Sequence, residues 1–160
     1  MDPAHRGVRL TFKRLEVVKF AFAAVVFYGV LVGALYLIQR SMMYFPSPDV
    51  PVPAESGVPE MRPIRLTTAD GLSLTSWYFP APSGQPTVVL FQGNAGHIGH
   101  RGYKGRVFID AGFGLVLVGY RGFGGNPGRP NEVGRYADGR AALAFLAGAG
   151  VPPARVVLCG

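Results

Sequence analysis

The sequence predicts an α/β domain with a largely parallel β-sheet, preceded by one transmembrane helix. Three observations lead to this fold class. Residues 20–38 form an apolar stretch without a charged side chain. Thr87–Phe91 and Phe113–Tyr120 are β-branched and apolar runs typical of strands buried on both faces of a parallel sheet. A helical pattern follows each run, as the crossover between parallel strands requires.

The apolar stretch 20–38 is long enough to cross a hydrocarbon core of about 30 Å as a helix. It exceeds the apolar region of a signal peptide, and no small-residue cleavage site follows it, which favours an uncleaved anchor. Residues 1–19 form a basic segment with Arg6, Arg9, Lys13, Arg14 and Lys19, whereas Arg40 alone follows closely behind the stretch. This asymmetry predicts a cytoplasmic N-terminus, a single pass through the lipid bilayer, and a domain in the periplasm or outside the cell.

Charge and cysteine usage exclude two kinds of site. The formal net charge is +7, but beyond the N-terminal segment the excess consists of scattered arginines without a basic helix or face. Nucleic acid is therefore not an expected partner. The single cysteine, Cys159, excludes an intrachain disulfide and a cysteine-based metal site. We expect a packed, inert thiol, because Cys159 falls in a predicted buried strand.

Composition changes sharply behind the apolar stretch. Residues 39–59 contain five prolines and no helical or strand period, which predicts an extended linker that lifts the domain off the bilayer. Residues 60–160 have the pattern of a compact but incomplete α/β domain. Met61–Thr67 and Leu72–Phe79 alternate as strands around a tight turn at Asp70–Gly71, which indicates a hairpin.

The remaining elements alternate between strands, loops and helices. Glycine-rich loops follow the two buried runs, and the second precedes the most regular helical pattern. In chain order we expect a loop at Gln92–His100, a helix at Arg101–Ala111, a loop at Arg121–Pro130, a helix at Glu132–Ala147 and a strand at Val156–Cys159. The last strand is expected at the centre of the complete sheet, with one flank outside these 160 residues.

The first glycine-rich loop matches neither nucleotide-binding template. Gly93–Gly99 has no closing Lys-[Ser/Thr] and does not follow G-x-G-x-x-G, so no nucleotide cofactor is predicted. His97 and His100 lie in or beside this loop without a carboxylate cluster, so no metal site is predicted either.

Three ordered motifs resemble one family. Gln92–Arg101 resembles the H-G-N-A-G-x-I-x-x-R loop of membrane-anchored bacterial and eukaryotic α/β-hydrolases. Tyr120–Gly124 is similar to the Y-R-G-x-G loop after their next strand, and Val133–Phe145 with Asp138 to their helix Y-x-D-x-x-A-x-x-x-F. The hairpin turn T-A-D-G-L at Thr68–Leu72 also fits. The resemblance covers about residues 40–160.

The resemblance implies the N-terminal half of an α/β-hydrolase fold, a hairpin followed by a parallel βαβαβ unit. It also implies ester, thioester or amide hydrolysis by a Ser-Asp-His triad. One backbone N–H of the oxyanion hole comes from the loop after the first buried strand. That donor falls at Asn94, and Gly93 allows close approach of the backbone. The alternative is that these glycines merely turn the chain sharply.

Other polar residues receive structural roles from the same resemblance. Gln92 replaces a histidine of the family, and its amide can also donate and accept hydrogen bonds. Gln92 and Arg121 are expected to order their loops. The family's triad histidine follows the serine and the acid in the chain, so His97 and His100 are expected to be loop residues. We expect Asp110 and Asp138 to be solvated or structural rather than catalytic.

The run Arg155–Gly160 resembles the strand that leads into the family's G-x-S-x-G nucleophile elbow, with Gly160 as its first glycine. The serine, acid and base are absent from these residues. The sequence therefore predicts a truncated fragment of a membrane-anchored serine hydrolase, inactive by itself, whose full-length form acts on a small-molecule ester or amide. The alternatives are a non-catalytic binding module at the membrane surface and half of a split hydrolase. The sequence leaves the oligomeric state open.

Overall fold

The computed structural model describes residues 3–160, and for residues 3–15 and Arg40 it describes the backbone alone. The chain divides into two compact units between Met42 and Met43. Helix α1, Pro3–Met43, accounts for the first unit. Its segment Glu16–Gln39 has a mean hydropathy of 2.3, and none of it is buried in protein. This segment of 24 residues is long and apolar enough to cross a membrane, and it contains the predicted stretch 20–38.

The second unit is built on a five-stranded sheet in the order β2-β3-β6-β4-β7. Strands β2, β3 and β6 form two antiparallel pairs, and β4 lies parallel to both β6 and β7. The order and direction of the strands match the predicted hairpin followed by a parallel unit. The strands are β2 Arg62–Thr67, β3 Ser73–Phe79, β4 Thr87–Phe91, β6 Gly114–Val118 and β7 Val156–Cys159. A separate two-stranded ladder joins β1, Phe45–Pro46, to β5, Ala95–Gly96.

The hairpin turns where the sequence predicted. The N–H of Thr68 donates to the carbonyl of Leu72 at 2.9 Å, and the Thr68 hydroxyl accepts from the N–H of Leu72. Gly71 takes the positive φ of +85° that this turn requires. Trp77 and Tyr78 point to opposite faces of β3 and are both buried. The strict alternation in the sequence therefore breaks at this end of β3, because the strand lies between two others and both of its faces are covered.

Two helices cover the two faces of the sheet. Helix α2, Gly102–Asp110, follows a 3₁₀ turn at Ile98–Arg101, and helix α3 spans Glu132–Gly148. The α2 side packs against Val58, Met61, Trp77, Val88, Leu90, Leu115 and Leu117. The α3 side packs against Leu66, Leu74, Tyr78, Val89, Val116, Val118 and Phe123. The sheet with one helical layer on each face is the three-layer arrangement expected for an α/β domain.

Two glycines that weaken the helical pattern of α2 are required by its packing. A Cβ at Gly102 would lie 1.8 Å from the backbone carbonyl oxygen of Ser56. A Cβ at Gly105 would lie 2.9 Å from a methyl carbon of Leu115. The missing side chains let the helix backbone approach the sheet and the preceding segment closely.

The proline-rich segment differs from the extended linker that the sequence predicted. Phe45–Pro46 pairs with Ala95–Gly96, Ala54–Ser56 forms a 3₁₀ turn, and Val58 is fully buried in the core. Residues 43–59 are therefore part of the second unit rather than a spacer. The physical reason is that Val58 offers the core an apolar side chain, while Gly102 leaves room for the backbone at Ser56.

The last strand lies at an edge within these residues, and its central place in a complete sheet stays a prediction. β7 pairs with β4 and lies at the edge of the five-stranded sheet. Val157 and Leu158 are exposed to 48% and 58%, and Cys159 is half-buried. Cys159 packs against the core on the α2 side, as expected, but the strand that carries it is only partly buried in these residues. A strand with a neighbour on one side only leaves its other edge and part of its faces exposed to solvent.

Candidate functional site

The two glycine-rich loops emerge together at one edge of the sheet. They follow β4 and β6, which are adjacent and parallel, so that their carboxyl ends lie side by side. Open α/β sheets bind ligands at this edge, outside the carboxyl ends of the strands. The structure therefore brings the Gln92–Asn94 loop and the Arg121 loop to one region, as the sequence predicted from strand order.

Gln92 begins the first loop and is buried, with 2% of its surface exposed. Its backbone carbonyl accepts a hydrogen bond from Arg101 Nε at 3.0 Å. Among the residues described, no protein atom bonds to its side-chain amide nitrogen or oxygen. The side chain borders a cavity of about 10 Å³, also lined by Trp77 and Asn126, which suits about one water molecule. A role of the Gln92 side chain in ordering the loop stays a prediction.

The Gly93–Asn94 peptide is held by contacts on several sides. Gly93 has φ +81°, in the left-handed region that favours glycine, and its carbonyl accepts a hydrogen bond from the Arg135 guanidinium. Asn94 Nδ2 donates to the carbonyl of Met43 at 2.8 Å, and its own carbonyl accepts from the N–H of Phe45 at 2.9 Å. Within residues 3–160, no acceptor bonds to the backbone N–H of Asn94. This N–H is therefore available to a ligand, and Asn94 is exposed to solvent.

Arg135 joins this loop to two aromatic rings. Its guanidinium carbon lies 4.5 Å from the ring centroid of Tyr120 and 5.2 Å from that of Tyr44. Both distances are within the range of cation–π attraction. Sequence reasoning missed Arg135 and Tyr44, because the groups that meet here come from α3, from two loops and from the segment behind α1. No local pattern in the sequence marks such a meeting.

An open cleft of about 610 Å³ lies beside the loop. Its volume falls within the usual range of small-molecule sites, and its lining combines aromatic and aliphatic carbon with the charged side chains of Glu132, Arg135 and Arg140. The lining includes Tyr44, Phe91, Gly93, Tyr120, Arg135 and Leu158. The candidate site thus consists of a shaped apolar cleft with a free backbone N–H next to it.

Arg121 lies in a buried ion-pair network in the second loop. Its Nη1 and Nη2 atoms donate to both carboxylate oxygens of Asp70, at 2.7 and 3.0 Å. Its Nε and its backbone N–H donate to the two oxygens of Asp138, at 2.9 and 3.0 Å. The hydrogen bonds from Arg121 hold the pKa of Asp70 well below its usual range, and both carboxylates raise the pKa of Arg121. Each guanidinium nitrogen has a carboxylate partner, so Arg121 ties the hairpin turn and α3 to its loop.

The other acidic and imidazole groups that the sequence singled out have contacts of their own. Asp110 is on the surface and pairs with Arg106 at 3.2 Å. The rings of His97 and His100 stack with centroids 3.9 Å apart. Burial, and then the neighbouring His100, lowers the pKa of His97, so this imidazole is neutral near pH 7. In the part of the chain that the structure describes, no group of three His, Cys, Asp or Glu residues could hold a metal ion.

Comparison with known proteins relates the chain to one family. No protein-family model matches. An uncharacterized protein of Mycobacterium tuberculosis, Rv2307c, is 42% identical over 88% of this chain and 50% of its own length. The α/β-hydrolase domain-containing protein WAV2 of Arabidopsis thaliana is 32% identical over 87% of this chain and 50% of its own. Protein bem46 of Schizosaccharomyces pombe is 35% identical over 73% and 42%. The chain spans about half the length of these curated relatives.

Solved structures show the same fold. The esterase Pf2001 of Pyrococcus furiosus superposes with a TM-score of 0.57 at 21% identity, covering 72% of this chain and 46% of the esterase. An α/β-hydrolase of Vibrio vulnificus superposes with a TM-score of 0.53 at 22% identity, covering 62% and 34%. The second unit thus has an α/β-hydrolase-like fold, and the chain's relatives and structural neighbours are α/β-hydrolases.

Proposed function

We propose that the chain supplies the oxyanion loop and half of the sheet of a serine hydrolase that α1 anchors to a membrane. The observation that supports this function is the backbone N–H of Asn94. It has no acceptor among the described residues, and it stands just after β4, beside a cleft of ligand size. An unoccupied donor at this edge suits an oxygen that becomes negatively charged during a reaction.

The chemistry assigned to the loop is stabilisation of a tetrahedral intermediate. A serine attacks the carbonyl carbon of an ester, thioester or amide while a histidine takes its proton, and the carbonyl oxygen becomes an oxyanion. Asn94 N–H donates to that oxyanion from about 2.7–3.1 Å, and the residue after the serine donates the second hydrogen bond. Removal of one such donor typically lowers kcat by roughly a hundred- to a thousandfold.

The nucleophile, the acid and the base belong to residues outside this chain under the proposal. None of the six serines in the 160 residues lies in a G-x-S-x-G sequence. The curated relatives are about twice as long as the part matched here, which leaves them room for these groups. The 160 residues alone are therefore expected to be inactive.

Membrane attachment and substrate class form the rest of the proposal. The five basic side chains before the apolar stretch favour a cytoplasmic N-terminus, with the second unit on the opposite side of the bilayer. The neighbouring Pyrococcus structure is named an esterase, so short-chain esters are the first substrates to test.

The test starts from the coding DNA beyond codon 160, translated in all three frames. We expect one frame to encode x-S-x-G followed by an aspartate and a histidine. The extended protein, expressed in membranes, should then react with a fluorophosphonate probe, and replacement of that serine by alanine should abolish the labelling. The 160-residue chain serves as the unlabelled control. The absence of any such frame contradicts the proposal and favours the non-catalytic module, whereas labelling that requires a second polypeptide favours a split enzyme.

A further inference from the structure

We propose that Arg135 is a positioning residue, which orients the Gly93–Asn94 peptide so that the Asn94 N–H serves as an oxyanion donor. The role in catalysis rests on the function proposed above, but the orientation itself is a property of this chain. Arg135 has no counterpart among the groups that the motifs marked, and it acts through the peptide rather than on a substrate.

In a planar peptide bond, a contact that fixes the direction of the carbonyl also fixes the direction of the N–H. The described residues contain no cis peptide bond, so the Gly93 carbonyl and the Asn94 N–H point in opposite directions. A hydrogen bond from Arg135 to the carbonyl therefore sets the direction of the N–H. Glycine adopts positive and negative φ at similar cost, so rotation of this peptide is opposed mainly by its contacts.

The Arg135 guanidinium is itself held in place by two aromatic rings. Its guanidinium carbon lies 4.5 Å from the ring centroid of Tyr120 and 5.2 Å from that of Tyr44. Planar guanidinium groups stack on aromatic faces, whereas the ammonium of lysine is a compact point charge on a flexible stem. The positive charge on the Gly93 carbonyl also polarises the peptide, which makes the Asn94 N–H a stronger donor.

The segment behind α1 holds the same loop through different atoms. The N–H of Phe45 donates to the Asn94 carbonyl at 2.9 Å, and the N–H of Ser47 donates to the Gly96 carbonyl at 3.0 Å. The Asn94 side chain is bound to the Met43 carbonyl at 2.8 Å. These contacts hold the peptides on the far side of Asn94, so that Arg135 controls the one peptide that carries its N–H.

The experiment uses the 160-residue chain, labelled with ¹⁵N, in detergent micelles. Wild type is compared with Arg135→Met, with Arg135→Lys and with the control Arg65→Met, which removes an exposed arginine of β2. Arg135→Met should move the Asn94 amide proton resonance upfield, because the polarising charge is lost, and Arg135→Lys should move it less. Hydrogen exchange of the Phe45 amide should accelerate roughly tenfold in Arg135→Met, as expected for loss of a charged hydrogen bond nearby. Arg65→Met should leave both signals unchanged.

An Asn94 resonance that is the same in wild type and both Arg135 variants overturns the proposal. If Arg135→Met loses its dispersed spectrum, the Arg135→Lys comparison decides by the same criterion. In the extended enzyme, Arg135→Met should lower kcat about tenfold with KM nearly unchanged, because an oxyanion donor acts in the transition state. If the extended wild-type protein hydrolyses no substrate, the proposed function is refuted. The Asn94 resonance tests the orientation by Arg135 independently.

Discussion

The loops that follow β4 and β6 are both rich in glycine and leave the same edge of the sheet, but they are held in opposite ways. The loop after β6 is held by its own Arg121 side chain, which is 7% exposed and bonds to two carboxylates. The loop after β4 is held through its backbone by groups from other segments. Arg135 and the residues behind α1 bind its carbonyl oxygens and leave the Asn94 N–H free.

This difference favours a structural role for the loop after β6 and agrees with the ligand role that we propose for the loop after β4. The polar groups of the Arg121 network bond to one another and are not available to a substrate. The network stabilises the hairpin, the loop and α3 together. A loop with a solvent-exposed, unoccupied N–H keeps a donor available to a ligand. The motif resemblance covers both loops, and the hydrogen bonds distinguish them.

The largest effect is expected from Asp138→Ala, which breaks the inner network. Asp138 is fully buried and Arg121 nearly so, and removal of Asp138 leaves the buried Nε and backbone N–H of Arg121 without their acceptor, although Asp70 still pairs with the guanidinium. We expect the free energy of unfolding to fall by about 3–5 kcal/mol. Urea denaturation of the full chain in micelles can be followed by the fluorescence of Trp77, the single and fully buried tryptophan.

Asp110→Ala is the matched control for Asp138→Ala. Asp110 is also a helical aspartate paired with an arginine, but its side chain is 62% exposed. Its removal should change the free energy of unfolding by less than about 0.5 kcal/mol. Equal losses in the two variants would show that the buried network does not stabilise the second loop.

An intermediate effect is expected from Gly102→Ala, which disturbs the outer support of the first loop. The new methyl group would lie 1.8 Å from the Ser56 carbonyl oxygen, so the segment before the sheet must move off α2. We expect a loss of about 1–3 kcal/mol from overpacking, although alanine favours a helix over glycine.

Gly148→Ala tests the opposite case in α3. Nothing lies within 4 Å of its added Cβ, so the same change should stabilise the chain by several tenths of a kcal/mol. Urea denaturation of both variants measures the comparison. A neutral or stabilising Gly102→Ala would mean that residues 54–57 do not pack tightly on α2 in solution.

The smallest effect is a pH dependence confined to the first loop region. The pKa of His97 is lowered by burial and by His100, while Asp49 acts in the opposite direction. The unfolded chain therefore binds the His97 proton first, and the free energy of unfolding should fall as the pH drops below about 6.5. Asp70 stays charged in this range because its pKa is lowered, so the Arg121 network should not respond.

His97→Gln should flatten the dependence of the unfolding free energy on pH between about 7 and 5. The measurement is urea denaturation of both proteins at a series of pH values, and the slopes are compared rather than the absolute stabilities. Equal slopes in the two proteins would contradict a lowered pKa at His97.

Much of the fold and part of the site could be predicted from residue patterns. Alternation located the hairpin, continuous apolar runs located β4 and β6, and the helical period located α3. The N-cap of α3 was not predicted: Asn131 Oδ1 accepts from Gly134 N–H at 2.8 Å. The loop motifs pointed to Gly93 and Asn94. The prolines of 39–59 led to the wrong expectation of a free spacer, because composition reveals flexibility but not the glycine surface at α2 that receives this segment.

The sequence by itself determined the type and order of the elements, the apolar stretch of α1 and the positions of both loops, because these depend on neighbours along the chain. The tertiary structure decided which polar groups are satisfied. Arg121 meets Asp70 from 51 residues away, and Asn94 meets Met43 across the same separation. Arg135 reaches Gly93 across 42 residues. No local pattern encodes such contacts, because they exist only after the sheet has brought distant segments to one edge.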